Sequence, residues 1–344
     1  MNSSNFTIIE DFDYIFWASS TAKNLLFYSC VLLFVPGTFL NTLQTLIFLM
    51  KIFSKTSMGY YYSINSALNL VIVIYLLIFC MPMSKSNSLF LYNSWGCRLF
   101  YYFLRVLYQS SSWLNVAIVA DRVVFILFPN KFNFLKKKKF LTLILIAILS
   151  IILITNITNF GLNLVIIRNN WTNQTTKYCS TPGPLVYLRD IHSILFRSAI
   201  PFTLMLVMNI ILIAKVNESK KKLKMKYEIK FVFTVIATTF TFLFTYIPNV
   251  VWTIFQNRFQ NDPSVSRRQT YEAFIFLFEM SSSASYFVNY SMNIFVHMAF
   301  NSLFRKEVIR LVFNLFRIRN NQIENSTILS FRMNTKNVKT QINA

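Results

Sequence analysis

Charge is scarce in this chain. Only 13% of its 344 residues are Asp, Glu, Lys or Arg, while 55% are hydrophobic; a typical soluble domain carries roughly 25% charged residues. A soluble chain of this length can bury a large core but still needs a polar surface, and there are too few charges here to build one. The composition is that of an integral membrane protein. Glycine is rare as well, with five in the whole chain. Gly- and Pro-broken helices and paired repeats mark many transporters. Their lack counts against a transporter or channel, the rival reading from another class. There are two histidines and four cysteines (Cys30, Cys80, Cys97 and Cys179), with no Cys-x-x-Cys pair. A structural zinc site is therefore not expected. No nucleophile–base or metal constellation is visible, so we expect no enzyme, no catalytic residue and no cofactor. Residues 1–20 lack a basic start followed by an apolar stretch, so the first membrane helix is expected to serve as the targeting signal.

Acid is scarcer than base. Twelve Asp and Glu face 34 Lys and Arg, a formal net charge of +22. In a soluble protein that excess would point to nucleic acid. Here the bases sit in short runs between apolar segments, which suits the cytoplasmic face of a membrane protein. Nucleic acid is not an expected partner.

What the chain has is long apolar stretches. A helix needs about 20 apolar residues to cross roughly 30 Å of hydrocarbon. Candidate spans lie near 25–50, 61–83, 98–127, 140–167, 190–215, 229–256 and 271–298. Arg105 dilutes the third. Glu279, Ser281 to Ser283, Asn289 and Asn293 dilute the seventh, so a strict hydropathy threshold can miss either. In the seventh, Ser282, Ser285, Asn289 and Asn293 are spaced 3, 4 and 4 and share one helical face. Phe276, Phe287 and Phe295 supply apolar surface elsewhere. Such a stripe suits a bundle interior, because lipid rejects it; a surface amphipathic helix is the alternative.

The expected fold is all-α: an extracellular tail (1–24), a seven-transmembrane helix bundle (25–298), a short amphipathic eighth helix (299–318) and a disordered cytoplasmic tail (319–344). In the eighth helix Leu303, Phe304, Val308, Leu311, Val312 and Leu315 recur at helical spacing among Arg305, Lys306, Arg310 and Arg317, which suits a helix lying on the inner membrane surface. With the N-terminus outside, 22 of the 34 bases fall inside and nine outside. That bias favours N-terminus out and C-terminus in. Asn2, Asn5, Asn170 and Asn173 each begin Asn-x-Ser/Thr on the outer side and are candidate glycosylation sites, although Asn156, Asn217, Asn289 and Asn325 match by chance elsewhere.

"VADRVVFILFP" (residues 119–129) places an acid and a base at the inner end of the third span. With its surroundings it resembles the rhodopsin-like G-protein-coupled receptors, most closely the invertebrate neuropeptide-type members. Asp121-Arg122-Val123 resembles that family's Asp-Arg-Tyr motif, and Pro129 follows at the family's distance. Cys97, 25 residues before Arg122, stands where the family has the cysteine that bridges to the second outer loop, which here contains Cys179. Trp95 and Gly96 precede it. Asn41, Pro201, Pro248 with Phe242, Asn293 and Phe304-Arg305 match landmarks of the first, fifth, sixth, seventh and eighth helices. There are departures: Asn69 replaces the sodium-binding Asp, Tyr246 the sixth-helix Trp, Asn209 the fifth-helix Tyr, and Ile294 and His297 the Pro and Tyr of Asn-Pro-x-x-Tyr. The fourth helix lacks its Trp.

The resemblance implies a plasma-membrane receptor that binds an extracellular ligand and activates a heterotrimeric G protein. Asp121, Arg122, Asn209, Tyr246, Asn293 and His297 would form its switch. One reading has His297 hydrogen-bond Asn209 in place of the missing tyrosines; the plainer one leaves it a packed side chain. The Cys97–Cys179 bond it implies would contribute about 2–4 kcal/mol. The stretch from Leu164 to Ser180, with a polar Asn-Asn centre, is expected to form a hairpin. Arg105, Arg197 and Glu279 would each cost about 2.5–3.5 kcal/mol at mid-membrane. By family register they line the outer cavity, with Tyr101, Tyr108, Tyr271 and Phe276 as aromatic surface. They are expected either to recognise a charged ligand, a peptide foremost, or to pair internally as Arg–Glu. Leu104 and Phe287 stand where amine receptors carry Asp and opsins carry Lys, which counts against an amine or retinal. A small-molecule chemosensory receptor of the same fold remains a second reading. The basic inner loops would contact anionic lipid.

Overall fold

The computed structural model describes residues 3–84, 93–128, 137–168, 175–180, 188–189, 191–219, 226–261 and 269–313. Among them seven long helices follow one another: α1 (Ser3–Leu49), α2 (Ser57–Ser84), α3 (Ser94–Leu127), α4 (Lys138–Thr155), α5 (Ile200–Ser219), α6 (Lys226–Asn261) and α7 (Gln269–Phe300). Residues 302–313 add a helix, α8. An antiparallel hairpin of β1 (Asn163–Arg168) and β2 (Thr175–Ser180) lies between α4 and α5.

Six stretches are long and apolar enough to cross a membrane: Asp13–Leu49, Ser57–Ile78, Ser94–Leu127, Lys138–Gly161, Ser193–Lys215 and Val232–Gln256. The chain is a helical, multi-pass membrane protein. Its outward faces agree with that: Leu32, Val35, Phe39, Ile146, Ile154, Ile210, Phe244 and Phe295 are all exposed, a surface suited to lipid and not to water. α7 is not among the six. Of the polar stripe, Ser282, Asn289 and Asn293 are buried and Ser285 is partly buried, so the stripe does face the protein interior. Phe287, expected on the apolar outside, is buried too.

Two boundaries differ from the sequence expectation. Residues 3–24, expected as a tail, continue α1 as helix. No Gly or Pro precedes Pro36 to stop it, and 47 residues at about 1.5 Å each give roughly 70 Å, more than twice the hydrocarbon thickness. The fourth stretch, expected to reach 167, ends its α-helix at Thr155 and its 3-10 continuation at Gly161. Asn156 Nδ2 donates to Ile152 O (2.8 Å) and to Gln109 Oε1 of α3 (2.6 Å), and Asn159 Nδ2 donates to Asn156 O (2.9 Å). Such side-chain bonds to local backbone compete with helix, and the chain turns into β1.

Close helix approach is set by small residues and interhelical polar contacts, as expected where apolar burial gives helices little preference over lipid. A Cβ on Gly37 would lie 2.7 Å from Ser291 Oγ, so only glycine lets α1 and α7 come this near. Asn41 Nδ2 then donates to Tyr290 O (2.8 Å) across the same contact, and Ser291 Oγ donates to Leu33 O (3.2 Å). Pro248 lacks the N–H that α6 needs there, and Ser285 Oγ of α7 donates to the nearby Thr245 O (3.3 Å).

Candidate functional site

Cys97, in the first turn of α3, is bonded to Cys179 of β2. Asn93 caps that helix by accepting from Gly96 N (2.7 Å). Ser94 Oγ accepts from Leu164 N (3.2 Å), and Arg98 donates from Nε to Leu162 O and from Nη2 to Asn163 Oδ1 (2.9 Å each). The expected hairpin is present, held to the start of α3 by one covalent and three polar links.

Beneath that end lies a cavity of about 190 Å³. It draws on α3 through Tyr101, Arg105 and Tyr108, and on α7 through Glu279, Ser283 and Tyr286. On α6 it is lined by Asn249, Trp252, Thr253 and Gln256. Each set repeats at intervals of three and four, one helical face apiece. Arg197 completes it, just ahead of α5. All five residues expected to form a pocket (Tyr101, Arg105, Tyr108, Arg197 and Glu279) line this cavity, as do Leu104 and Phe287. Tyr271 and Phe276 are not among the lining residues.

Arg197 belongs to a π-helical turn, Ser193–Ala199. Pro201 follows it, without an N–H and with a ring that crowds the carbonyl four residues back; a widened turn relieves that crowding. Trp113 Nε1 of α3 donates to Phe196 O within the turn (2.8 Å), and Ser198 Oγ lies 2.7 Å from Tyr246 Oη. The Arg197 guanidinium lies 4.9 Å from the Tyr108 ring centre, 5.8 Å from Tyr246 and 6.0 Å from Tyr286, a favourable placement of a cation on π-faces. Its Nη2 donates to Asn249 Oδ1 (2.9 Å). The internal Arg–Glu pair is not formed: among the described residues no ion pair reaches Glu279. Arg105 Nη1 donates to Arg189 O (3.4 Å).

At the opposite end of α3, Asp121 and Arg122 are joined. Arg122 donates to Asp121 Oδ2 from Nη2 (2.6 Å) and Nε (3.2 Å). Ser57, in the first turn of α2, donates to Asp121 Oδ2 (3.0 Å) and accepts from Arg122 Nη2 (2.9 Å). Helix neighbours normally point apart, and the long arginine side chain folds back to close the pair. Arg122 is buried, with its guanidinium 5.0 Å from the Phe125 ring centre.

Toward the Arg122 end, His297 is fully buried among aromatic rings: Tyr62 at 4.3 Å edge to face, Phe48 at 5.1 Å and Phe304 at 5.4 Å. The bond to Asn209 is not made. Among the described residues, neither ring nitrogen of His297 has a partner, nor does either polar side-chain atom of the buried Asn209. The aromatic packing accounts for His297 as a packed side chain. Asn293 is buried. Tyr246 stacks on Phe242 (5.4 Å), the pair the resemblance aligns with the sixth-helix landmark. Asn69 and Asn65 are buried, each with an Oδ1 lacking a protein partner. Asn2, Asn170, Asn173 and Pro129 lie outside the described residues; Asn5 lies in α1, but its side chain does too. Among the described residues, no group of three or more His, Cys, Asp or Glu is placed to hold a metal ion.

Sequence reasoning missed Trp113, Asn249, Ser198 and Ser57. Asn249 had a legible signal, a polar residue next to Pro248 in an apolar span. Trp113 and Ser57 had none, since their partners are distant in sequence. A scan against protein-family models finds no match to the chain, and a search of curated proteins finds none either.

Proposed function

We propose that the chain is a seven-helix, rhodopsin-like receptor of the plasma membrane, with α7 as the seventh span and α8 lying on the inner leaflet. It binds an extracellular ligand, a neuropeptide in the first instance, and activates a heterotrimeric G protein. The observation that carries this reading is the division of α3. Its disulfide end gives Tyr101, Arg105 and Tyr108 to a charged cavity. Its other end carries a part-buried Asp121–Arg122–Ser57 lock. Arg122 follows Arg105 by 17 positions, roughly 25 Å of helix, so one rigid element touches both sites. A ligand that favours one setting of α3 biases the lock, which is the physical content of allosteric coupling.

In this reading the N-terminus, hairpin and cavity are extracellular and Arg122 faces the cytoplasm, in keeping with the excess of bases on that side. The polar face of α7 is turned inward, as a spanning helix with such a stripe requires. α8 packs Phe304 and Val308 inward and leaves Ile309, Val312 and Phe313 exposed, an apolar surface suited to lipid.

A second reading, a small-molecule chemosensory receptor of the same fold, is favoured by the cavity size: about 190 Å³ is below the roughly 300–1,000 Å³ of ligand pockets. A peptide would place one side chain or terminus inside and the remainder against the hairpin. The test is a screen of amidated neuropeptides and of small odorant-type molecules on cells bearing the chain and a panel of Gα subunits. A peptide response confined to chain-bearing cells supports the first reading and a small-molecule response the second. Silence to both sinks the receptor.

A further inference from the structure

Three charged side chains line the cavity at the disulfide end, and they differ in what already answers them. Arg105 donates to a backbone carbonyl (3.4 Å). Arg197 lies over three tyrosine rings and donates to Asn249. Glu279 has no comparable answer. Ser282 Oγ bonds only its backbone carbonyl (2.9 Å), and among the described residues no cation comes within ion-pair distance of its carboxylate. Glu279 is partly buried, and an acid with reduced access to water and no counter-charge is costly.

We propose that the anchoring group of the ligand is a cation, an ammonium or guanidinium, which enters this cavity and pairs with Glu279. This rests on the receptor reading in so far as the cation is taken to belong to an extracellular ligand. Phe100, Tyr101 and Trp252 line the same cavity, and their faces favour an organic cation. A volume of about 190 Å³ admits one basic group and not a whole peptide. The same chemistry can come from a basic side chain or amino terminus of a peptide, or from a free amine. An anionic ligand would turn to Arg105 or to Arg197, whose guanidinium already faces the three rings and Asn249 but whose buried Nε has no partner among the described residues. It is the competing outcome.

The test uses the full chain in lipid nanodiscs, with the shift in thermal unfolding as a measure of binding. The probes are L-arginine amide, benzylammonium, an amidated tripeptide with one internal arginine and an acetylated amino end, and glutarate as the anion. The cations are expected to raise the unfolding temperature of the wild type saturably, and glutarate to leave it unchanged. Glu279→Gln should weaken the cation at least ~10-fold, the scale of a lost charge-assisted bond, whereas Glu279→Asp keeps most of the binding. Tighter binding of the tripeptide than of benzylammonium assigns a peptide source; the reverse assigns a free amine. The proposal is overturned if the wild type shows no cation-dependent shift, if glutarate shifts it instead, or if Glu279→Gln binds the cations as well as wild type does. The readout needs no G protein. A cation site without any nucleotide exchange would therefore leave this inference standing and remove the receptor reading, and exchange driven by anionic ligands would do the opposite.

Discussion

Ser57 is a small residue with a large position. It lies between Asp121 and Arg122 and ties both to α2. Losing one partner of a buried polar group costs about 1–3 kcal/mol, and one or two kcal/mol is a factor of about 5–30 in a two-state equilibrium. Ser57→Ala should therefore raise ligand-free nucleotide exchange several-fold at equal surface expression; unchanged or lower basal exchange would contradict the lock. His297 leads to a different expectation. Its two ring nitrogens have no partner among the described residues and its neighbours are aromatic. His297→Phe keeps a flat aromatic ring, somewhat larger than the imidazole, and removes the polar atoms, so the unfolding temperature should rise. A fall would mean that His297 makes a bond this packing does not contain. The pocket charges were legible in the sequence, since a lone Arg or Glu in an apolar helix cannot face lipid. The Ser57 contact and the failure of His297 to reach Asn209 were not, because the first depends on how α2 stands against α3 and the second on how far α5 stands from α7.

At the scale of the element, the π turn ahead of α5 and the glycine contact between α1 and α7 carry most of the geometry. Trp113 supplies the donor that the widened turn needs. Trp113→Phe keeps an aromatic ring, though a smaller one, and deletes the donor; it should lower the unfolding temperature and weaken ligand binding, and stability loss alone would show that the turn does not place Arg197. Gly37 permits a contact that any larger side chain would block. Gly37→Val should cost about 1–3 kcal/mol by overpacking, visible as a lower unfolding temperature. Helix existence was legible from apolar length, and even α7 was legible through its 3, 4, 4 polar spacing. Ends were not. α1 runs back to Ser3 because nothing breaks it, and α4 stops early because Asn156 and Asn159 turn their side chains on the local backbone.

At the scale of the whole molecule, the disulfide and the topology set what the two ends of α3 can do. The Cys97–Cys179 bond spans 82 residues and fixes the hairpin to the start of α3. Cys97→Ser should lower stability by about 2–4 kcal/mol and reduce surface expression, read by flow cytometry with an N-terminal epitope on intact cells. That epitope also tests orientation: it should be stained without permeabilisation, and staining only after permeabilisation would invert the topology. Membrane residence followed from composition alone, because 13% charge cannot cover a soluble surface of this size; its helical form followed from the length of the apolar stretches.

The central claim is that occupancy of the cavity at one end of α3 releases Arg122 at the other. The most direct measurement is nucleotide exchange on purified heterotrimeric G protein by the full chain in nanodiscs, with and without a ligand found by screening, in the wild type and in Arg122→Ala. Ligand-stimulated exchange is predicted for the wild type, and its loss with ligand binding retained is predicted for Arg122→Ala. Equal stimulation of the two chains would contradict the account.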